Sequence, residues 1–317
     1  MAVLGRTEIE VPRLGLGAMT WGDPKGLARL HPAKTAYGGA ESAVEEAQAV
    51  SESLAAGVTL IDTAATYSGG AAELRLGELV AGKAVTVASK FPRGFFGFRA
   101  DKFEEELRGS LTRLGRSKIE LYQHHFPGPG TSIPDLMGRM ADAVEAGKIG
   151  AIGVSNYSAA QMREAHAALA KRNIPLASNQ VQYSLLYRRP EVDGVLGVCR
   201  ELGVTLIAYS PLAMGMLSGK YSGDAKATGL RRLLPNFSRR GREAAAPVVN
   251  LLRQIGERHG KTAGQVALRW LIENPVVLPI PGAKNGRQAR ENAGALGWTL
   301  APDEVEALDR ASAAWRK

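Results

Sequence analysis

The chain has 317 residues, of which 45% are hydrophobic and 22% are charged, and its formal net charge is +9 at pH 7. This is the composition of an ordinary globular protein, and the length is sufficient to bury a large core. No apolar stretch approaches the roughly 18 residues that cross a membrane, and residues 1–12 lack a secretory-signal pattern. The single cysteine, Cys199, cannot form a disulfide within the chain, so we expect a cytoplasmic protein with no membrane partner.

The positive charge is mostly dispersed along amphipathic helices and turns without interleaved aromatic residues, so we expect no nucleic-acid partner. The densest basic run comprises Arg231-Arg232, Arg239-Arg240 and Arg242. It is either a solvated surface or a site for the phosphates of an anionic ligand. The sequence leaves both interpretations open.

Short apolar runs alternate with helical patterns along nearly the whole chain. The predicted strands are 14–17, 58–62, 84–89, 119–124, 149–154, 177–181, 204–208 and 276–279. The predicted helices are 41–56, 72–80, 101–114, 133–146, 158–171, 191–202 and 285–295, with further helical segments at 242–259, 262–272 and 302–314. Glycines that follow several helices and precede the next apolar run are typical stop signals.

Strict alternation of strands and helices implies parallel strands with right-handed crossovers. Eight such units in about 290 residues favour a closed (β/α)8 barrel over an open sheet. We therefore expect an α/β protein, a TIM barrel in a single domain over residues 1–317. Residues 1–12 are expected to form a small hairpin at the barrel floor.

Active sites of parallel barrels lie at the carboxyl ends of the strands. The polar residues at or just after the predicted strand ends are Asp62, Lys90, His125, Ser155-Asn156, Gln180 and Tyr209. Their common position predicts an active site at this end of the barrel.

Tyr67, five residues after Asp62, is the candidate proton donor to a carbonyl group. A phenol with a pKa near 10 is a poor acid at neutral pH, and a neighbouring ammonium group lowers that pKa. Lys90 can supply the ammonium, and Asp62 can supply the counter-charge that a buried lysine needs. Each residue alone has an ordinary alternative, namely a loop tyrosine, a strand-end lysine or a capping aspartate. The combination favours catalysis.

His124 and His125 are neighbours in a predicted strand, so only one of them is expected to face the pocket. That histidine would donate a hydrogen bond to the substrate carbonyl. The alternation of side chains does not say which one it is, and a structural histidine is the ordinary alternative. No spacing of His, Cys or carboxylate residues predicts a metal site.

Ser155, Asn156 and Gln180 offer hydroxyl and amide groups that can both donate and accept, which suits the carboxamide of a nicotinamide ring. Turn and capping chemistry before the helix at 158–171 is the alternative. Tyr209 can stack on a flat ring, and the small residues after it can bring backbone amides near a pyrophosphate. Lys284, after the last strand, is a candidate phosphate contact, with a surface lysine as its alternative.

The usual dinucleotide fingerprint is missing, because Gly15-Leu-Gly17 is not followed by a third glycine at the required place. A nicotinamide cofactor would therefore not be held by a Rossmann turn.

Taken together, these segments resemble the aldo-keto reductase superfamily from Leu14-Gly-Leu-Gly17 to Ala289-Arg-Glu-Asn292. The family's catalytic Asp, Tyr, Lys and His match, in order and spacing, Asp62, Tyr67, Lys90 and His125. The family pattern Leu-Tyr-Gln-x-His selects His125 over its neighbour.

The segments Asn179-Gln-Val-Gln-Tyr-Ser-Leu-Leu and Pro279-Ile-Pro-Gly-Ala-Lys are most similar to the bacterial and plant-chloroplast branch, which includes pyridoxal-reductase-like and broad-substrate members. The resemblance implies cofactor contacts at Met19, Ser155, Asn156, Gln180, Tyr209, Ser210, Pro211, Leu212, Gly215, Lys220, Gly282, Lys284, Gln288, Glu291 and Asn292. Basic groups near the adenosine end imply NADPH over NADH. One departure is Tyr67-Ser68-Gly69-Gly70 in place of the usual Tyr-Gly, which is expected to change the pocket rim.

The resemblance implies an NADPH-dependent reductase of aldehydes or ketones, with a hydride from C4 of the nicotinamide and Tyr67 as general acid. The alternatives are a pyridine-nucleotide sensor resembling the potassium-channel β-subunits and a barrel enzyme that uses another cofactor such as flavin. Trp21 and Phe95 are candidate substrate contacts, with ordinary packing as their alternative. The sequence does not identify the small-molecule carbonyl substrate or the oligomeric state.

Overall fold

The structure of the protein is a computed structural model. It describes residues 1–24, 42–92, 102–128, 130, 132–221 and 234–317. Phe95, Arg231 and Arg232, which the sequence singles out, lie outside the described residues.

Eight parallel strands form the centre of the molecule, each paired with the next one in the chain. After a hairpin of β1 (Ala2–Val3) and β2 (Glu10–Val11) they are β3 (Leu16–Gly17), β4 (Leu60–Asp62), β5 (Thr86–Phe91), β6 (Ile119–His124), β7 (Ile149–Ser155), β8 (Leu176–Gln182), β9 (Thr205–Tyr209) and β10 (Val277–Pro279). Backbone hydrogen bonds from Gly15 to Pro279 (2.9 Å) and from Gly17 to Pro281 (3.0 Å) join the first of these eight strands to the last. The predicted (β/α)8 TIM barrel is confirmed.

The helices lie outside the barrel. Within the described residues they are α1 (Ala43–Ala55), α2 (Ala71–Val80), α3 (Phe103–Leu114), α4 (Ile133–Glu145), α5 (Ala159–Ala170), α6 (Val195–Leu202), α7 (Arg239–His259), α8 (Ala263–Glu273), α9 (Gly286–Ala293) and α10 (Pro302–Ala311). Ser158 and Thr262 cap α5 and α8. Each side chain accepts a hydrogen bond from the backbone amide three residues later, and the glutamine side chain at that position accepts one from the amide of the capping residue. None of the described helices has the length and apolarity to cross a membrane.

Three helix boundaries differ from the prediction by three residues or more: the helix predicted over 302–314 ends at Ala311, and two other helices begin elsewhere for local reasons. The helix predicted over 191–202 begins only at Val195, because Gly194 adopts left-handed backbone at φ +85° and Pro190 lies in a separate 3-10 turn. The helix predicted over 242–259 begins three residues earlier, at Arg239, because the side chain of Ser238 accepts a hydrogen bond from the amide of Gly241.

The predicted hairpin at residues 1–12 is present and covers the amino end of the barrel. The backbone amide of Gly5 donates to the hydroxyl of Thr205, at the start of β9, over 2.8 Å. Leu4 and Val11 are fully buried among the apolar side chains that fill the barrel interior. A second and larger apolar cluster lies between the barrel and the helices. Because the amino end is filled in this way, an accessible site belongs at the carboxyl ends of the strands.

Candidate active site

A buried ion pair lies inside the carboxyl end of the barrel. Lys90, near the end of β5, has no exposed surface, and its Nζ lies 2.6 Å from Oδ1 of Asp62, the last residue of β4. The same Nζ donates to the carbonyl oxygen of Thr63 at 2.7 Å. Burial lowers the pKa of Lys90, and the Asp62 carboxylate opposes this effect by raising it. Each charge therefore stabilises the other, because both side chains are buried away from water.

Two glutamines complete the surroundings of Asp62. Gln180 of β8 donates from Nε2 to Asp62 Oδ2 over 2.8 Å, and Gln123 of β6 approaches the same oxygen at 3.4 Å. Sequence reasoning assigned no role to Gln123. The signal was available, because Gln123 precedes His125 by two residues and alternate residues of a strand face the same side.

Tyr67 lies beside this pair on a short 3-10 turn, Tyr67–Gly70, that follows β4. The Nζ of Lys90 lies 4.9 Å from the centroid of the tyrosine ring, and the His125 ring contacts it edge to face with centroids 5.8 Å apart. Tyr67 is partly exposed, whereas Lys90 is fully buried. The structure thus brings together the tetrad, which is Asp62, Tyr67, Lys90 and His125.

The unusual sequence after Tyr67 has a structural counterpart. Ser68 adopts left-handed backbone at φ +51°, and its hydroxyl donates to the carbonyl of Trp21 over 2.8 Å. Trp21 itself is fully buried, and its indole nitrogen donates to the carbonyl of Ala283 at 2.8 Å. This burial and this hydrogen bond favour the packing alternative for Trp21, and its role as a substrate contact stays a prediction.

The two neighbouring histidines are in different surroundings. His124 is fully buried, stacks on Phe91 and shares a 2.8 Å hydrogen bond with the hydroxyl of Tyr157. His125 is only partly buried and lies beside Tyr67. Burial lowers the pKa of His125 to about 3, and the charge of Lys90 contributes to the shift. The imidazole of His125 is consequently neutral at neutral pH.

The polar residues predicted for the carboxamide also lie together. Ser155 donates from its hydroxyl to the carbonyl of Gln180 over 2.8 Å, and Asn156 donates to the Ser155 hydroxyl over 3.0 Å. The hydroxyl of Tyr209 donates to the amide oxygen of Asn156 at 3.1 Å. A cavity of about 230 Å³ borders Asn156 and Tyr209. Gln180 connects this group to the ion pair through its bond to Asp62.

The loop after β9 is folded into an unusual left-handed turn. Ser210, Ala213, Met214 and Gly215 all have positive φ, at +51°, +47°, +56° and +90°. Such turns point successive backbone amides into a concave surface that suits anions. Lys220 is exposed and lies against Gly215, since a Cβ on Gly215 would be 2.9 Å from its Nζ.

The remaining predicted cofactor residues lie near the start of α9 or along it, or directly follow β3 and β9. The Gln288 side chain accepts from the backbone amide of Lys284 over 3.0 Å, and Asn292 donates to the carbonyl of Gly282 over 3.2 Å. The other residues of this set are Met19, Leu212 and Lys284, which are partly buried, Pro211, which is buried, and Gly282 and Glu291, which are exposed. Gln288 and Asn292 thus hold the loop that carries Gly282 and Lys284 against α9.

Phe126 is a residue near the site that sequence reasoning did not assign. It is 42% exposed and stacks on the ring of His125 with centroids 4.5 Å apart. Its place directly after the histidine pair was the available signal. In the part of the chain that the structure describes, no three His, Cys, Asp or Glu side chains are grouped so as to hold a metal ion.

Comparison of three-dimensional structures shows the same architecture in known enzymes. The glycerol dehydrogenase from Gluconobacter oxydans superposes with a TM-score of 0.81 at 26% identity, covering 97% of this chain and 93% of that one. A thermostable aldo-keto reductase solved with the inhibitor epalrestat has a TM-score of 0.73 at 31% identity, with 97% and 98% of the chains covered.

Sequence comparison agrees with the structural one. The model of the Aldo/keto reductase family matches residues 13–313. Aldo-keto reductase str7 of Strobilurus tenacellus is 37% identical over 311 residues, which are 94% of this chain and 88% of that protein. The chloroplastic pyridoxal reductase of Arabidopsis thaliana is 35% identical over 320 residues, or 96% and 84% of the two chains. The chain therefore belongs to the aldo/keto reductase family, whose members are oxidoreductases that act on carbonyl compounds with nicotinamide cofactors.

Proposed function

We propose that the protein reversibly reduces an aldehyde or a ketone to an alcohol with NADPH, and that Tyr67 is the general acid. The observation that carries the proposal is the fully buried Lys90, which is paired with Asp62 at 2.6 Å and lies 4.9 Å from the Tyr67 ring centroid. A buried ammonium beside a phenol stabilises the phenolate that remains after the proton has left.

Each member of the tetrad has one task in this mechanism. The cofactor supplies, when bound, a hydride from C4 of its nicotinamide to the carbonyl carbon. Tyr67 donates its phenolic proton to the carbonyl oxygen as negative charge develops there. Lys90 stabilises the resulting phenolate, and Asp62 favours the charged form of Lys90 despite its burial.

The proposed role of His125 is to orient the carbonyl. A histidine with a pKa of about 3 is neutral at the pH of the cell, so it can donate a single N–H hydrogen bond but carries no charge. Polarisation of the carbonyl by this neutral donor is consistent with proton donation by the neighbouring phenol.

The donor set fits a nicotinamide dinucleotide. Ser155, Asn156 and Gln180 would hold the carboxamide, and Tyr209 would stack on the ring. The left-handed turn that begins at Ser210 would receive the pyrophosphate, with Lys220 against it. These assignments are supported by the grouping of the side chains and by the concave backbone of the turn.

The residues proposed to hold the adenosine end of the cofactor favour NADPH over NADH. Lys284 lies just before the start of α9, where a helix amino end favours anions. Gly282, Gln288, Glu291 and Asn292 would hold the adenosine beside it. A positive side chain together with a helix terminus suits the additional phosphate of NADPH.

We further propose a ring-bearing or apolar carbonyl substrate. The exposed ring of Phe126 stacks on His125 and offers an apolar surface where the carbonyl would lie. Pyridoxal is the first compound to assay, because a relative that is 35% identical is a pyridoxal reductase.

The test is Tyr67→Phe, which removes only the phenolic hydroxyl. We expect kcat for NADPH-dependent reduction to fall by about 10²–10⁴-fold, because an acid–base group typically contributes that much. Cofactor binding, followed by fluorescence titration with NADPH and NADH, should remain at the wild-type level. Tyr183→Phe is the matched control, since that phenol donates to Glu191 and to no residue of the tetrad.

Near-wild-type turnover of Tyr67→Phe would contradict the assignment of the acid. Tight NADPH binding by the wild-type protein, without turnover on any carbonyl of an aldehyde and ketone panel, would instead indicate a nucleotide sensor.

A further inference from the structure

We propose that Glu73 is a positioning residue for the catalytic tetrad: with Ser89 and Arg113 it forms a clamp around its own buried carboxylate, which holds the Tyr67 turn against the strand of Lys90 and places a second negative charge behind that lysine. The proposal rests on the function proposed above for Tyr67 and Lys90. The Glu73 clamp, defined as Glu73, Ser89 and Arg113, lies outside the barrel wall and contacts no reacting atom.

The first observation is the burial of a charged side chain. Glu73 lies in the first turn of α2 and has no exposed surface. Its Oε1 accepts a short hydrogen bond from the Ser89 hydroxyl, and its Oε2 accepts from Nε of Arg113 at 2.6 Å. Removing a carboxylate from water costs free energy even when the carboxylate is paired, so Glu73 is an unusual residue for a position without exposed surface.

The second observation is the place of Ser89 in β5. Ser89 precedes Lys90, and neighbouring side chains of a strand point to opposite sides. Lys90 reaches into the barrel to Asp62, while Ser89 reaches outward to Glu73. The strand that carries the catalytic lysine is therefore held from both of its faces. The charge of Glu73 also raises the pKa of Lys90, in the same direction as Asp62 and against the effect of burial.

The third observation links the clamp to the turn of Tyr67. Gly70 ends that turn with φ +91°, and a Cβ at this position would lie 2.9 Å from Cδ of Arg113. The arginine side chain thus packs directly against the backbone that carries Tyr67. Arg113 lies on α3, and its Nη2 also donates over 3.3 Å to the hydroxyl of Ser110 in the same helix, which orients the guanidinium group. One buried carboxylate therefore connects α2, α3, β5 and the Tyr67 turn.

A purely structural ion pair would affect stability but not the titration of the active site. Two variants with opposite charge changes separate the two roles. Glu73→Gln keeps the volume and removes the negative charge, so Lys90 should lose its proton at lower pH. Arg113→Met removes the positive charge and leaves the carboxylate, so Lys90 should keep its proton to higher pH.

The measurement is the pH dependence of kcat, together with the ionisation of the Tyr67 phenol in the cofactor-free protein. The phenol is followed by near-ultraviolet phenolate absorbance as a difference from the same background carrying Tyr67→Phe. We expect the alkaline limb of kcat to move down by about 0.5–1 pH unit in Glu73→Gln and up in Arg113→Met, with the double variant closer to wild type. Turnover at neutral pH should fall about tenfold in Glu73→Gln, because the turn is held less firmly.

Glu304→Gln is the matched control, because Glu304 is also a buried glutamate paired with an arginine, Arg258, but it lies on α10. It should lower thermal stability without moving either titration. An unchanged alkaline limb in both clamp variants, or a shift in the same direction in both, would overturn the proposal. If one variant does not fold, the other still tests the proposal: its alkaline limb must move in the direction given above, and a limb that stays or moves the other way would overturn it. A Tyr67→Phe enzyme of full activity would overturn the proposed function instead, so the two failures are distinguishable.

Discussion

The adjacent histidines at the end of β6 both have a lowered pKa, for partly different reasons. Burial lowers the pKa of both to about 3, and Lys90 contributes to the shift only at His125. His124 is held between the Phe91 ring and the Tyr157 hydroxyl, whereas His125 faces the Tyr67 ring. Both imidazoles are therefore neutral in the folded protein, one inside the core and the other beside the Tyr67 ring.

We expect acid to destabilise the fold through these histidines. The folded-state pKa is about 3 and the unfolded value is 6.5, so below pH 6.5 the unfolded chain binds protons that the native state does not. The stabilisation is complete above pH 6.5 and is lost progressively as the pH falls towards 3. For His124 the loss amounts to at most about 1.4 kcal/mol per pH unit.

The test is the free energy of unfolding by urea between pH 7 and pH 5, above the main titration range of the carboxylates. His124→Gln, which cannot titrate, should show a shallower loss over this range than the wild-type protein. Equal slopes for the two proteins would contradict the proposed protonation state of His124.

At the scale of elements, the short segments after the strands hold the site in place. The turn after β4 carries Tyr67, and the turn after β9 contains three non-glycine residues with positive φ, namely Ser210, Ala213 and Met214. Such backbone costs about 1–3 kcal/mol per residue, and strained segments of this kind cluster at ligand sites. The rest of the barrel supplies rigid ends on which these turns are built.

We expect Gly215→Ala to weaken cofactor binding. Gly215 has φ +90°, and an added Cβ would lie 2.7 Å from Cε of Lys220, so both the turn and the lysine must move. The Kd for NADPH in a fluorescence titration should rise roughly tenfold, because reshaping the turn costs on the order of 1 kcal/mol or more. Gly260→Ala is the control, since Gly260 also has positive φ, at +62°, but an added Cβ would meet no atom within 4 Å. A Kd that changes equally in both variants would argue against the left-handed turn after β9 as the site of the pyrophosphate.

At the scale of the whole molecule, one end of the barrel is closed and the other carries the candidate active site. The hairpin of β1 and β2 covers the amino end, and Leu4 is buried together with side chains from the barrel interior. The tetrad occupies the carboxyl end. We propose that residues 1–317 form a single domain, since the hairpin and the barrel share one apolar cluster.

Removing the side chain of Leu4 should therefore destabilise the entire fold. We expect Leu4→Ala to lower the free energy of unfolding by about 2–4 kcal/mol, in one cooperative transition followed by circular dichroism. Turnover below the unfolding temperature should not change, because the site lies at the opposite end. Val3→Ala in the same hairpin is the control, since Val3 is 52% exposed, and it should stay within about 0.5 kcal/mol of wild type. A two-step transition, or equal effects of the two variants, would contradict the single-domain proposal.

The order of strands and helices could be predicted from the sequence because it depends on local patterns. Apolar runs, capping residues and glycine stops lie within a few positions of one another, and the observed strand ends differ from the predicted ones by at most two residues. The barrel topology follows from strict alternation, and the strand ends then place Asp62, Lys90 and His125 at one rim. The predicted helix start at residue 191 was wrong, because the sequence does not show that Gly194 adopts left-handed backbone.

Beyond the pairing of Lys90 with Asp62, which the sequence predicted, only the tertiary structure decided which side chains share a partner. Alternation left His124 and His125 open, and their surroundings distinguish them. Gln180 donates to Asp62 from 118 residues away, and Arg113 reaches Glu73 from 40 residues away. Such contacts depend on the closure of the barrel and on the packing of helices outside it, which no local pattern encodes. The sequence alone therefore determined the fold and most of the chemical groups of the site, and the tertiary structure decided how the remaining groups are paired, because pairing depends on distances between residues that are remote in the chain.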